Sequence, residues 1–353
     1  MSDRVNITRP KGTPNRLRMM VWLIILAAAW LLWSRFAEID TLLKTLRQGQ
    51  PLWIGCALIM QVIYQIIFSG VYWSAFHTVA IRSRLIDLIP LTFASIFVNS
   101  TVTSGGAAGT LLFVDDARRR GESAPRATAG TLLVMAADYT AFAMLLTVGL
   151  IFLIRDHDLT KLEGISALAM YLLILGVLGL LSAGLWAPTL LQRVLATVQT
   201  AGTWIGRLLH SPHLFADDWA ERMTEEFTAA ADMMSQQPIR LARTVAIALL
   251  AHLVDLSSLW LLFWAFHQPV SLSMVIVLYA MTMLFWIVSP TPNGIGVVET
   301  VMPVIYASVG LSLEAGTIIN LAFRGISFWF PLLVGFLLMR RLRLLTGAIQ
   351  VLK

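Results

Sequence analysis

One arginine inside an apolar run near the end of the chain is the side chain best suited to hold a phosphate. Arg324 falls within the run Thr317 to Met339, where an ionised group is costly and usually has a functional or a structural partner. Its planar guanidinium can donate two parallel hydrogen bonds to phosphate oxygens. Asn320 lies on the same helix face. The alternative is a structural ion pair with Glu299 or Asp138.

Two acidic residues also fall in apolar surroundings. Glu299 follows Gly296 by three positions, where a carboxylate can accept the free N–H groups of a resuming helix. Proton coupling or an ion pair is its alternative role. Asp138 interrupts another apolar run and suits a proton site, a cation site or hydrogen bonds that hold the first hairpin. His252 and Asp255 share a helix face, but two ligands without a third predict an ordinary polar contact. We therefore expect neither a metal site nor a cofactor.

The sequence lacks the short signatures of common catalytic sites. It contains no His-Glu-x-x-His, no Gly-x-Ser-x-Gly and no phosphate-loop Gly-Lys-Ser/Thr. Its densest glycine run, around Gly105, follows an apolar helix pattern rather than a strand. We expect a protein that is not an enzyme. A membrane-embedded transferase that uses Asp138 or Glu299 is the least supported alternative.

Two glycine-rich breaks interrupt apolar segments whose parts are too short to cross about 30 Å of hydrocarbon alone. Non-helical backbone at that depth is tolerated only inside protein or beside a wet cavity. Helices that resume after each break direct free N–H groups inward, which attracts phosphate or carboxylate. Alternatively, the glycines only let the two breaks pack closely. The candidate site residues of the breaks are Asn99, Ser104, Gly105, Gly106 and Gly109 in the first, and Asn293, Gly294 and Gly296 in the second.

The composition is that of a polytopic membrane protein. Of 353 residues, 58% are hydrophobic and 13% are charged, and the mean hydropathy is +0.76, which one soluble core could not hide. The net charge of +6 comes from basic residues beside apolar runs, as in topology signals, so we do not expect nucleic acid binding. The single cysteine, Cys56, excludes a disulfide within the chain.

The pattern predicts an all-α integral membrane bundle with about six full spans and two opposed re-entrant hairpins. The basic segment 1–18 precedes a retained signal anchor, Met19 to Trp33, and a single membrane domain covers 19–339. Within it, 187–240 forms an amphipathic cytoplasmic elbow. The basic tail 340–353 and the N-terminus are expected in the cytoplasm. Full spans beyond the anchor are expected at Pro51–Phe76, Ala127–Ile154, Ile165–Trp186, Leu241–Phe266 and Thr317–Met339.

The order of these segments predicts an inverted repeat. A span, a hairpin and a span surround each break, and opposite entry faces would bring the breaks together near the midplane, as in many transporters. A weak echo supports it: Gly121-Glu122-Ser123 follows the first hairpin and Gly310-Leu311-Ser312 follows the second.

In these motifs the chain resembles the lysylphosphatidylglycerol synthase transmembrane region, also known as the flippase-like domain of multiple peptide resistance factor proteins. The similarity spans about Pro51 to Met339. One departure is Thr103, which stands where relatives often carry a proline. Bifunctional relatives add a soluble aminoacyl-transferase domain, so the resemblance implies the lipid-handling half without the synthase. The matching residues are Asn99, Ser104 to Gly106, Gly109, Arg118 to Gly121, Ser123, Pro290, Pro292, Gly294, Gly296, Glu299 and Arg324.

Resemblance and paired breaks together predict a multi-pass protein of the cell membrane (inner or plasma membrane) that binds or flips an anionic phospholipid or a polyprenyl-linked lipid. The alternative is a non-transporting partner of a lipid-modifying or glycosyl-transferring enzyme, with the amphipathic helices between Leu190 and Met234 as its docking surface. The lipid, the direction, the energy source and the oligomeric state do not follow from the sequence.

Overall fold

The all-α class is confirmed in the computed structural model, which describes residues 44–101, 107–156, 161–208, 219–289 and 291–341. These ranges contain helices and no strand. Several predicted features lie outside the described residues, namely the basic segment 1–18, the anchor Met19–Trp33, the site residues Ser104, Gly105 and Gly106, Pro290, and residues 342–353 of the tail.

The helices are numbered here in chain order, and two short turns of other helical type accompany them. The turns are a 3₁₀ turn at Pro292–Gly294 and a π turn at Gly325–Trp329. The helices are α1 (Pro51–Thr78), α2 (Leu85–Thr101), α3 (Ala107–Arg119), α4 (Ala124–Asp156), α5 (Lys161–Trp186), α6 (Pro188–Leu208), α7 (Trp219–Ser235), α8 (Pro238–Ala265), α9 (Leu272–Val288), α10 (Val297–Ser308), α11 (Leu313–Arg324) and α12 (Phe330–Arg341).

Within the described ranges, four helical stretches are long and apolar enough to cross a membrane. At about 1.5 Å per residue, each exceeds the roughly 30 Å of a bilayer core. The last stretch joins α11, the π turn and α12. The four stretches are Pro51–Thr78, Ala124–Arg155, Pro238–Ala265 and Leu313–Leu338.

Helices α1 and α8 form the central pair and run in opposite directions. At one end, the Gln50 N–H donates to the Ala265 carbonyl over 2.9 Å. At the other end, the hydroxyls of Ser74 and Thr244 are 2.8 Å apart. The start of α1 therefore lies beside the end of α8, and the end of α1 beside the start of α8.

Each member of this pair begins a unit with the same order of elements. A pair of antiparallel helices follows α1 (α2 and α3) and α8 (α9 and α10), and a long helix then closes each unit, α4 in the first and α11–α12 in the second. The closing helix of each unit packs on the first hairpin helix of the other, α4 on α9 and α12 on α2. Since α1 and α8 are antiparallel, the two units have opposite orientations.

Local landmarks repeat between the units. Gly121 and Gly310 both have positive φ, 81° and 99°. Ser123 accepts a hydrogen bond from the N–H three residues later at the start of α4, and Ser312 does the same at the start of α11. The three-letter echo in the sequence thus marks structurally equivalent turns and helix caps.

The two ends of the first hairpin lie side by side. The Arg82 N–H, before α2, donates to the Glu122 carboxylate after α3 over 3.2 Å. Arg120 also donates to the Arg82 carbonyl over 3.3 Å. The chain therefore returns at the end of α3 to the place where it left α1.

Helices α6 and α7 lie within the segment predicted as an elbow and pack on each other, with α7 also against α4 and α5. Leu191 is buried and Leu195 packs on the same core. Val198 is exposed together with Leu190 and Val194, because a spacing of four residues aligns it with these two. The helix therefore carries a second, exposed apolar stripe.

We expect Gly335→Leu and Gly149→Leu to destabilise the protein, because these glycines lie where the units cross. A Cβ on Gly335 would collide with the Phe93 carbonyl of α2, and one on Gly149 would lie 2.9 Å from the Ala280 Cβ of α9. Overpacking of this kind costs about 1–3 kcal/mol, which a thermal melt in detergent should detect. Gly176→Leu is the control, since nothing lies within 4 Å of that position; equal losses in all three variants would contradict the crossing.

Candidate functional site

The second break is a tight backbone turn between α9 and α10. Asn293, Gly294 and Gly296 all have left-handed φ values, of 51°, 69° and 85°. At Gly294 a Cβ would lie 2.7 Å from Val298 and 3.1 Å from the Trp286 Cα, so the turn requires glycine there. The sharp reversal lets α10 start again at Val297. We call Ser289–Gly296 the second tip.

Glu299 fills two of the three roles that the sequence left open for it, the helix cap and the ion pair. Its Oε2 accepts the Gly296 N–H over 2.7 Å, which caps the start of α10. Its Oε1 accepts the Arg324 Nε–H over 2.8 Å. The Glu299 side chain is 21% exposed, whereas that of Arg324 is 0% exposed. The carboxylate thus lies between the buried arginine and the surface.

Arg324 is held on several sides by the second tip and by aromatic rings. Its Nη2 donates to the Asn293 carbonyl over 3.1 Å. The guanidinium carbon is 4.5 Å from the centre of the Phe328 ring and 5.0 Å from that of Trp286, distances at which a cation is attracted to the ring faces. Sequence reasoning missed both rings. Phe328 was detectable at a four-residue spacing from Arg324, whereas Trp286 belongs to another helix.

The second tip contacts a residue that precedes the first break. The side-chain amide of Asn293 donates to the Ser100 hydroxyl of α2 over 2.7 Å. Next to Ser100, the Asn99 Oδ1 accepts the Gly109 N–H over 2.6 Å, so Asn99 caps the start of α3 as Glu299 caps α10. We call the segment 99–109 the first tip. Ser100 had not been named as a site residue, since a serine inside an apolar helix gives no specific signal.

The predicted site residues fall into two groups, one at the two tips and one around Asp138. Arg324, Glu299, Asn293, Gly294 and Gly296 form one cluster. Asn320 adjoins it by donating to the Val298 carbonyl over 3.3 Å, and Asn99 and Gly109 form the neighbouring first tip.

Asp138 belongs to a different group. Its Oδ1 lies 3.1 Å from the His252 Nε2 of α8, and its side chain is 21% exposed. This contact is with α8, whereas the sequence had suggested hydrogen bonds to the first hairpin or an ion pair with Arg324, which instead pairs with Glu299. Across the described ranges, no cluster of three or more His, Cys, Asp or Glu side chains could hold a metal ion.

The arrangement can bind an oxyanion. The guanidinium, paired with the Glu299 carboxylate, adjoins the start of α10, whose N–H groups and dipole favour negative charge. An incoming phosphate would compete with the Glu299 carboxylate for Arg324. Since Glu299 is partly exposed and Gly296 is exposed, the anion would approach from this side.

We expect a strong interaction free energy between Arg324 and Glu299. Removing one partner of a buried ion pair leaves an uncompensated charge and costs about 3–5 kcal/mol. Arg324→Gln and Glu299→Gln should each destabilise the protein by this order, and the double variant should lose clearly less than the sum. Unfolding of the four proteins in the same detergent gives the coupling energy. Additive losses would contradict the pair.

Known proteins resemble the chain over most of its length. Residues 20–335 match the family model described as the lysylphosphatidylglycerol synthase TM region. A UPF0104 membrane protein of Methanocaldococcus jannaschii is 21% identical over 309 residues, which cover 86% of this chain and 89% of that protein. A UPF0104 membrane protein of Pyrococcus horikoshii is 22% identical over 327 residues, covering 89% and 93%. The chain is a membrane protein with several apolar helices, and it belongs to the lysylphosphatidylglycerol synthase TM region family.

Proposed function

We propose that the protein binds the phosphate of an anionic phospholipid or polyprenyl-linked lipid at Arg324 and translocates that lipid between leaflets. The observation that carries the proposal is a fully buried arginine where two helix breaks meet. A buried charge in a membrane protein usually marks a substrate path. The family points to the same ligand class, since its name refers to the membrane part of a phospholipid-modifying synthase.

The path of the head group follows from the partners of Arg324. The phosphate would replace Glu299 at the guanidinium, and Glu299 would keep its bond to the Gly296 N–H. The acyl or prenyl chains would stay in the surrounding lipid. Alternating access by movement of one unit against the other would then open the site to each leaflet in turn.

The two hairpins enter the membrane from opposite faces in this proposal. The adjoining ends of the first hairpin at Arg82 and Glu122 and the antiparallel α1 and α8 support it. Basic residues at the first hairpin favour the cytoplasmic side for its ends, with both chain termini on that side. The protein would then have six full spans: the anchor, α1, α4, α5, α8 and α11–α12.

Lipid dependence of stability distinguishes a head-group site from a purely structural ion pair. In Glu299→Gln an anionic head group can take the place of the lost carboxylate. We therefore expect its melting temperature to rise in nanodiscs with phosphatidylglycerol relative to phosphatidylcholine, by more than in the unaltered protein. The double variant Arg324→Gln/Glu299→Gln should show no such difference. Arg118→Gln, at an exposed arginine, is the control. A Glu299→Gln melting temperature that is the same in both lipids would argue against the site.

Translocation itself is measured with fluorescent phosphatidylglycerol in liposomes, where an external quencher reports the outer leaflet. We expect the unaltered protein to make nearly all labelled lipid accessible and Arg324→Gln to lower the rate at least tenfold, while Arg118→Gln keeps it. Equal rates for Arg324→Gln and the unaltered protein would refute the assignment.

The topology has a test of its own. Single cysteines at exposed Arg84 and Arg118, and at exposed Pro269 and Glu314, are introduced in a Cys56→Ala background. An impermeant thiol reagent on intact cells should label the Pro269 and Glu314 variants alone. Permeabilised cells should label all four. If Arg84 and Arg118 differ in intact cells, the first hairpin crosses the membrane fully and the proposal of re-entrant hairpins fails.

A second candidate function rests on the exposed apolar stripe of α6, formed by Leu190, Val194 and Val198. We propose as the alternative that the protein holds a lipid-modifying or glycosyl-transferring enzyme at this elbow. Replacing the stripe by serine would then abolish the function in cells, and Arg324→Gln would leave it intact. The reverse pattern favours lipid translocation.

A further inference from the structure

A chain of four polar side chains, separate from the Arg324 cluster, links three helices in the middle of the protein. The Asp138 Oδ1 of α4 lies 3.1 Å from the His252 Nε2 of α8. The other ring nitrogen of His252, Nδ1, lies 2.8 Å from the Tyr279 hydroxyl of α9. That hydroxyl lies 3.2 Å from the Asp255 Oδ2. The chain therefore joins one carboxylate to another through an imidazole and a phenol.

Two arrangements of hydrogens fit these heavy atoms with the same number of protons. In the first, Tyr279 donates to Asp255, and His252 carries both ring protons and faces an ionised Asp138. In the second, Asp255 is protonated and donates to Tyr279, Tyr279 donates to Nδ1, and neutral His252 carries its proton on Nε2, the nitrogen that faces Asp138. The change moves one proton from His252 to Asp255 through the Tyr279 hydroxyl. No proton enters or leaves.

The two carboxylates at the ends of this series of side chains differ in their exposure to the surface. Asp138 is 21% exposed, whereas Asp255 is 3% exposed and Tyr279 is 0% exposed. A proton can therefore enter at Asp138 and reach a carboxylate that is closed to the surface. An ionisable pair with this gradient of access inside a membrane is typical of proton relays in transporters.

Two further buried polar side chains lie on α1, the helix that packs against α8. The register of α1 against α8 places Gln61 and Gln65 at the level of Asp255 and His252. Both glutamines are buried, and within the described ranges no hydrogen-bond partner exists for either amide atom of Gln61, for the Gln65 Nε2 or for the Asp255 Oδ1. Such atoms in a membrane interior require water, which would carry the proton onward.

Among the described residues around these four side chains, no other cation is placed to pair with Asp138 or Asp255 as His252 does. On α11, Arg324 is engaged by Glu299. The other titratable side chains within electrostatic reach are neutral phenols, Tyr64 and Tyr72 of α1 and Tyr139 of α4.

We propose that Asp138, His252, Tyr279 and Asp255 form a one-proton relay that couples lipid movement to the proton gradient. This inference rests on the proposed function. The relay connects the two units, because α4 belongs to the first and α8 and α9 to the second. A shift of one unit against the other would change the contact between Asp138 and His252, and with it the side from which the proton is exchanged.

The experiment measures the distribution of fluorescent phosphatidylglycerol between leaflets of liposomes with an imposed gradient of one pH unit. One proton per lipid gives about tenfold asymmetry at steady state, and its sign shows whether proton and lipid move in the same direction. Tyr279→Phe keeps the ring and breaks the relay, so it should translocate lipid without asymmetry. Tyr306→Phe, another fully buried tyrosine, should retain the asymmetry of the unaltered protein.

The outcomes separate the relay from the proposed function. Translocation by the unaltered protein without asymmetry overturns the relay, as does asymmetry that survives in Tyr279→Phe. If the unaltered protein moves no labelled lipid, the proposed function fails, and infrared spectra of the protein in nanodiscs decide on the relay. A carboxylic acid C=O band that titrates, changes in Tyr279→Phe and disappears in Asp255→Asn supports it. Spectra that are the same in all three overturn it.

Discussion

Backbone groups freed inside a bilayer must find partners within the protein, and this constraint determines the centre of the structure. In the proposed topology, both hairpins interrupt their helices inside the bilayer, where water is scarce. Asn99 satisfies an N–H at the start of α3, Glu299 one at the start of α10, and Arg324 the Asn293 carbonyl between them. The same side chains therefore satisfy the backbone at the breaks and create the charged cluster, so the structural role and the proposed binding role fall on the same positions.

The two units share their order of elements and differ in the chemistry of their tips. A neutral amide caps α3 and a carboxylate caps α10. The carboxylate needs a counter-charge, which Arg324 of the last helix supplies. Directly after Arg324 comes the π turn Gly325–Trp329, a form of helix that often occurs at functional sites. The charged centre thus belongs to the second unit, and the first contributes the Ser100 contact.

Sequence periodicity located the helices well, because apolar runs of 17 or more residues that end at Pro or Gly breaks are compatible with few structures other than helices. The positions of Glu299 and Arg324 were equally visible, since charges are rare in apolar runs. What the sequence did not reveal depends on contacts between distant segments. Examples are the Trp286 ring over Arg324 and the bond between Asn293 and Ser100. The place of Tyr279 also depends on such a contact, because only the packing of α9 brings its hydroxyl between His252 and Asp255.

Helix α5 has a simple consequence for the number of crossings. In the proposed topology, each unit crosses the membrane twice and ends on the face where it began. Two such units joined directly would have the same orientation. Counted from the start of the first unit to the start of the second, α5 makes the number of crossings odd. The second unit is therefore inverted in the membrane relative to the first. Its outward residues, such as Leu168 and Leu172, are apolar and exposed, as expected of a connector beside lipid. The count of crossings, more than any residue of α5, is what the architecture requires of it.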